Sequence, residues 1–84
     1  MSKITVKYRG ELRALTGCDI EELDLDTVRS VLRHIRERWG KPAEKEAKCM
    51  VIAVNGKSIL LLNNEKTLLN DGDTVTFLPI CGGG

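Results

Sequence analysis

Ile4, Val6 and Tyr8 alternate with Lys3, Thr5 and Lys7, the period of two that sets one face of a strand on a core and the other in water. Gly10 and Gly17 bracket residues 11–15, which predicts at most one helical turn. Residues 20–25 predict a second strand, with Leu23 and Leu25 inward, so that the chain opens with a hairpin. Val28, Val31, Leu32, Ile35 and Trp39 then fall at i, i+3, i+4, i+7 and i+11, one apolar stripe at helical spacing. Asp26 or Thr27 can cap that helix, Gly40 suits a left-handed residue just past its end, and Pro42 opposes continuation.

Residues 41–48 are polar and predict an irregular segment. Residues 49–54 are β-branched and apolar and lead into Asn55-Gly56, a favoured two-residue hairpin turn, which predicts a third strand returning as a fourth over 57–61. A polar connection over 63–70 carries Leu68 and Leu69. The turn cluster Asp71-Gly72-Asp73 then launches a fifth alternating strand, Thr74-Val75-Thr76-Phe77-Leu78. The order predicts an α+β domain, a β-grasp in which a mixed sheet of about five strands packs on one main helix. Residues 1–80 would form the domain and residues 81–84 a flexible glycine tail. Val51 and Ala53 alternate with Met50, Ile52 and Val54, and Leu60, Leu61, Leu62 and Leu78 add to an apolar surplus. One helix covers one face, so either an exposed patch remains to dock partners or the sheet curls over these side chains.

Length and composition narrow the function. Eighty-four residues hold one domain, and 42% hydrophobic with 30% charged residues fits a soluble globular chain. Its thin core leaves no room for a large internal ligand cavity. A net charge of +1 gives no global attraction to nucleic acid or to an anionic membrane. The opening Met-Ser-Lys-Ile-Thr-Val lacks the apolar stretch of a signal peptide, and no apolar run approaches the ~20 residues of a membrane span, so a cytoplasmic address is expected. Cys18, Cys49 and Cys81 are odd in number and far apart, which suits reduced thiols. His34 has no ligand at metal spacing, and Asp71-Gly72-Asp73 lacks the rest of a calcium loop, so no metal site is expected. Arg29, Arg33 and Arg36 share one helical side and read as a solvated face. No paired carboxylates and no nucleophile–base set point to catalysis by the chain alone.

The remaining chemistry lies at Gly82-Gly83-Gly84. Glycines lack Cβ and can thread a narrow channel in another protein. Residues 81–84 reach about 13–14 Å at ~3.3–3.6 Å each, far enough to carry a terminal carboxylate into a partner's active site. A carboxylate is a poor acyl donor. Transfer to AMP makes a mixed anhydride that a sulfur nucleophile can open. The chain has no phosphate-binding loop, so ATP would have to be used in trans and no cofactor is expected on the chain itself.

Over essentially its whole length the chain resembles the ubiquitin-like sulfur carrier family of the MoaD/ThiS type, which includes the molybdopterin synthase small subunit and the thiazole-synthesis sulfur carrier. The resemblance is carried by Tyr8, Arg13, Leu15 and Gly17, by Thr27-Val28 with Leu32, and by Val54-Asn55-Gly56. It is strongest at Leu68, Asp71-Gly72-Asp73, Val75, Phe77, Pro79 and Gly83-Gly84. It implies that an E1-like enzyme adenylates Gly84, whose thiocarboxylate then donates sulfur. The long helix and Phe77-Leu78-Pro79 look more like the molybdopterin synthase small subunit, the sulfur-donor subunit of a sulfurtransferase, whose partner is the large subunit. Another sulfur-accepting synthase, or conjugation to proteins as a modifier, are the alternatives. The resemblance further implies that Cys81, Gly82 and Gly83 present the terminus and that Phe77, Leu78, Pro79 and Ile80 meet partners. The family's usual Pro-Pro stands here as Pro79-Ile80, so the stiffening pair is halved.

Overall fold

A computed structural model of the chain describes residues 2–80. The first strand, β1 (Lys3–Tyr8), buries Ile4, Val6 and Tyr8 as its alternation requires. It runs into α1 (Gly10–Thr16), longer than the single turn expected. Leu12 is its buried anchor, and Gly17, at φ +66°, closes it by donating its N–H to the Arg13 carbonyl at 2.8 Å. The return strand β2 (Ile20–Asp24) pairs antiparallel with β1, placing Lys3 opposite Asp24 and Lys7 opposite Ile20.

The main helix, α2 (Val28–Trp39), starts at a capping box: Thr27 Oγ1 accepts from the Ser30 N–H, and Ser30 Oγ accepts from the Thr27 N–H, each at 3.1 Å. Val28, Val31, Leu32 and Ile35 are buried along its stripe. Gly40 ends it at φ +92°, with ψ extended rather than left-handed. Another helix follows at once, α3 (Lys41–Lys48), where an irregular segment was expected. Pro42 stands in its first turn, where the missing N–H has no intrahelical partner to lose. Ala43 and Ala47, four residues apart, are its buried face, and their short side chains let α3 lie against α2.

β3 (Val51–Val54) turns through Asn55 and Gly56, both at positive φ, into β4 (Lys57–Ser58). β4 is shorter than the expected 57–61 because Ser58 Oγ accepts from the Leu60 N–H at 3.2 Å and starts a 3₁₀ turn over Ile59–Leu61. A second such turn, Asn64–Lys66, leads back to the core. Asp71-Gly72-Asp73 is turn chemistry: Asp71 accepts from the Lys3 N–H and Asp73 from Asn55 Nδ2, each at 2.9 Å. The last strand, β5 (Thr74–Leu78), takes the centre of a five-stranded sheet ordered β2-β1-β5-β3-β4. It runs parallel to β1 and antiparallel to β3. This is the mixed sheet of a β-grasp. Among the described residues no helix is long and apolar enough to cross a membrane.

The apolar surplus divides. Met50 and Ala53 are covered, whereas Leu60 and Leu68 stand 78% and 72% exposed and Val51 and Leu78 are partly open on the outer sheet face.

Tyr8 ties these layers together. Its hydroxyl donates to Glu21 Oε1 at 2.8 Å, and the same oxygen lies 3.0 Å from His34 Nε2, so β1, β2 and α2 meet at one half-buried carboxylate. His34 is therefore partly enclosed. Burial raises the Tyr8 phenol well above its ordinary value, and the hydrogen bond and negative charge of Glu21 raise it further. A proton held more tightly in the folded state stabilises below the unfolded phenol's value of about 10, and that stability is lost as pH rises above it. Tyr8→Phe is expected to cost about 1–2 kcal/mol at neutral pH and to remove part of the wild-type loss of stability above about pH 10. Urea unfolding of both proteins across that range checks this; parallel pH profiles would assign the alkaline loss to other groups.

Candidate functional site

The tail expected to carry the chemistry, Cys81, Gly82, Gly83 and Gly84, lies outside the described residues. The structure describes the root from which it leaves, at the end of the central strand. Phe77 stands opposite Tyr8 on one side and Ile52 on the other. Its ring is 0% exposed and stacks on Tyr8 with centroids 6.0 Å apart and planes 12° from parallel. Tyr8 in turn meets Trp39 edge-on at 5.5 Å, and Trp39 meets His34 edge-on at 5.8 Å. The chain's single Phe, Tyr and Trp thus form one column beneath the root.

Burial changes the part assigned to Phe77. A ring closed inside the core offers a partner no surface, so Phe77 anchors the root, and the accessible residues of the expected set are Leu78, Pro79 and Ile80. Leu78 points to the outer face of the sheet opposite Val51, and both are 40% exposed. Ile80, 66% exposed, lies on the rim of a groove shared with Val51 and Cys49. The one remaining proline also has a fixed seat. Gly10, at φ +57°, is so close that a Cβ there would stand 3.2 Å from Pro79 Cβ. Halving the proline pair therefore leaves a root held by tertiary contact.

Sequence reasoning missed the seat and the polar lock beside it. Gly10 was visible only as a helix bracket, although a glycine two residues past a core strand can signal close approach. Glu21 on β2 and His34 on α2 sit thirteen residues apart, and only the packing of the helix against the sheet brings them together. Arg38 Nε approaches the second oxygen of Glu21 at 3.8 Å, and its guanidinium stands over the Trp39 ring at 5.3 Å. Among the described residues no three His, Cys, Asp or Glu side chains come together in a way that could hold a metal. What the root can do chemically is position: it fixes where an extended acyl-bearing end would begin.

Comparison with known proteins bears on that end. The family model described as "ThiS family" matches residues 6–84, through the last glycine. Among solved structures, the chain is similar to small archaeal modifier protein 1 from Methanosarcina acetivorans, at 27% identity and TM-score 0.82 over 100% of this chain and 98% of that one. It is also similar to a putative molybdopterin converting factor, subunit 1, from Pyrococcus furiosus, at 30% identity and TM-score 0.70 over 94% and 98%. The fold is shared with a protein–protein complex of subunits 1 and 2 of the molybdopterin-converting factor from Helicobacter pylori, at 21% identity and TM-score 0.71 over 98% and 99%. Among curated proteins none matches.

The seat of Pro79 can be weighed directly. Gly10→Ala and Gly17→Ala both place a Cβ at left-handed φ, a strain of about 1–2 kcal/mol each. Only at Gly10 does the new atom also meet Pro79, since Gly17 faces open space. Thermal unfolding is expected to show a larger loss for Gly10→Ala; equal losses would mean that Pro79 shifts freely.

Proposed function

The chain belongs to the ThiS family of ubiquitin-like sulfur carriers and modifiers, and on that premise we propose that it carries sulfur on the carboxyl group of Gly84 as the small subunit of a molybdopterin synthase. The observation that carries this reading is the family match running through Gly84, on a chain whose central strand ends at a root where Pro79 is seated against Gly10. An E1-like enzyme would transfer AMP from ATP to the Gly84 carboxylate and release pyrophosphate. A sulfur nucleophile would then attack the activated carbonyl carbon and expel AMP, leaving a thiocarboxylate. The synthase's large subunit would receive the tail and pass its sulfur to a pterin precursor. Likeness to the Pyrococcus furiosus subunit at 30% identity supports the molybdopterin branch.

Gly82 and Gly83 give the end a cross-section without side chains, Cys81 joins it to the body, and Leu78, Pro79 and Ile80 present an apolar collar around its base. The body contributes no reacting group.

A second reading has its own support, the likeness to an archaeal modifier protein over the full length of this chain. It uses the same adenylate and ends in an isopeptide bond to a lysine. Intact-mass analysis of the chain from its native host separates the two. The carrier reading expects a species in which one terminal oxygen is exchanged for sulfur, and the modifier reading expects covalent conjugates with other proteins. Deleting Gly84, or introducing Gly83→Trp, is expected to abolish ATP-dependent adenylation by the activating enzyme and to leave the melting temperature unchanged. Adenylation at the wild-type rate in either variant would sink both readings.

A further inference from the structure

A groove of about 790 Å³ opens beside the root and is not used by the sulfur chemistry above. Its floor is apolar, made by the buried side chains of Met50, Ile52 and Ile59, with Leu60 and Ile80 exposed on its rim. Arg29, Lys48 and Lys66 stand around it, with Glu65. Past Arg29 and Lys48 it continues into a smaller cleft of about 210 Å³ that adds Arg33, Arg36 and Glu44. Five cations thus face two carboxylates along one path, an excess of three on a chain whose net charge is +1.

Four of the five charges are not neutralised locally. Lys48 lies 3.8 Å from Glu44, but among the described residues no carboxylate is within ion-pair distance of Arg29, Arg33, Arg36 or Lys66. Arg29 is also badly placed for α2. It sits in the first turn, where the free backbone N–H groups disfavour a cation, and that turn holds no acidic residue. A residue that opposes a local rule beside an apolar trough is where a sequence departs from stability for the sake of binding.

We propose that this groove docks an acidic segment of a partner protein, with one apolar side chain seated over Met50, Ile52 and Ile59 and flanking carboxylates meeting Arg29, Lys48 and the arginines of α2. The apolar floor calls for a side chain rather than a free anion. Nucleic acid fits less well: no aromatic residue lines either cavity to stack a base, and Glu44 and Glu65 would repel a continuous phosphate backbone. The inference goes beyond the sulfur-carrier reading and does not rest on it.

The test uses the full chain, isotope-labelled, without ATP or an activating enzyme, so its failure leaves the carrier reading standing. The probe is a pool of short acetylated, amidated peptides in which one Leu, Phe or Met is flanked by Asp and Glu. Backbone amide shifts are expected to cluster at Arg29, Lys48, Cys49, Ile59 and Leu60, and the same peptides with Lys in place of the acids should cause none. R29E with K48E is expected to weaken binding by about tenfold, and R29Q with K48Q by less. R29E alone should melt no lower than wild type, because a carboxylate suits the start of α2. The proposal is overturned if no acidic peptide gives localised shifts, or if R29E with K48E binds undiminished. It is equally overturned if R29E melts lower, or if inorganic phosphate or oligothymidylate reproduces the shifts.

Discussion

The structure depends on the closure of Phe77 between the two strands that flank β5. That ring is fully buried, stacked on Tyr8, and set opposite Ile52. Emptying such a site to alanine costs about 3–5 kcal/mol. A chain of 84 residues holds roughly 4–13 kcal/mol in all at about 0.05–0.15 kcal/mol per residue. One ring thus accounts for a large share of what keeps the domain folded, and it lies two residues before Pro79. Fold stability and the position of the root are the same contact. A variant that loosens the root without unfolding the domain has to act outside the ring, at Gly10 or Pro79.

Glu21 extends this closure into a polar layer. Its carboxylate faces the Tyr8 hydroxyl, His34 and Arg38, drawn from β1 and α2, while Glu21 itself belongs to β2. A half-buried carboxylate with fewer partners would be a liability, because desolvation without hydrogen bonds is costly. With partners on three sides it penalises any slip of β2 against β1, since a one-residue shift turns Glu21 to the opposite face. The aromatic column supplies affinity between the layers, and the carboxylate supplies register.

Much of this was legible in the residues. Alternation placed β1 and β5, the stripe from Val28 to Trp39 placed α2, and Asn55-Gly56 placed the hairpin turn. The inward face of Phe77 was legible too, because Val75 and Phe77 alternate with Thr74 and Thr76; resemblance to a docking motif outweighed that period. α3 was hidden for a physical reason. Its buried face is two alanines, too small to stand out as an apolar stripe, and Pro42 reads as a stop when it is a start. The full length of β4 was misjudged because Ser58 diverts its own backbone into a turn. Nothing local to Glu21 or His34 announces their contact. The end proposed to react shows the reverse: Gly82-Gly83-Gly84 is plain in the sequence and lies outside the described residues.

The root and the groove meet at Ile80 yet are built from different forces, and this separates their effects. The collar of Leu78, Pro79 and Ile80 is apolar, and contacts it makes strengthen slightly in salting-out conditions. The cations along α2 and α3 act through partly exposed charge, whose reach shrinks to about 10 Å at 0.1 M salt and about 3 Å at 1 M. A partner that grips only the collar would keep its affinity as salt rises. One that also enters the groove would lose affinity in proportion to the carboxylates it places beside Arg29 and Lys48. Two partners that use the same glycine end in turn can therefore be told apart by ionic strength alone, because the end is common to both and the groove is optional.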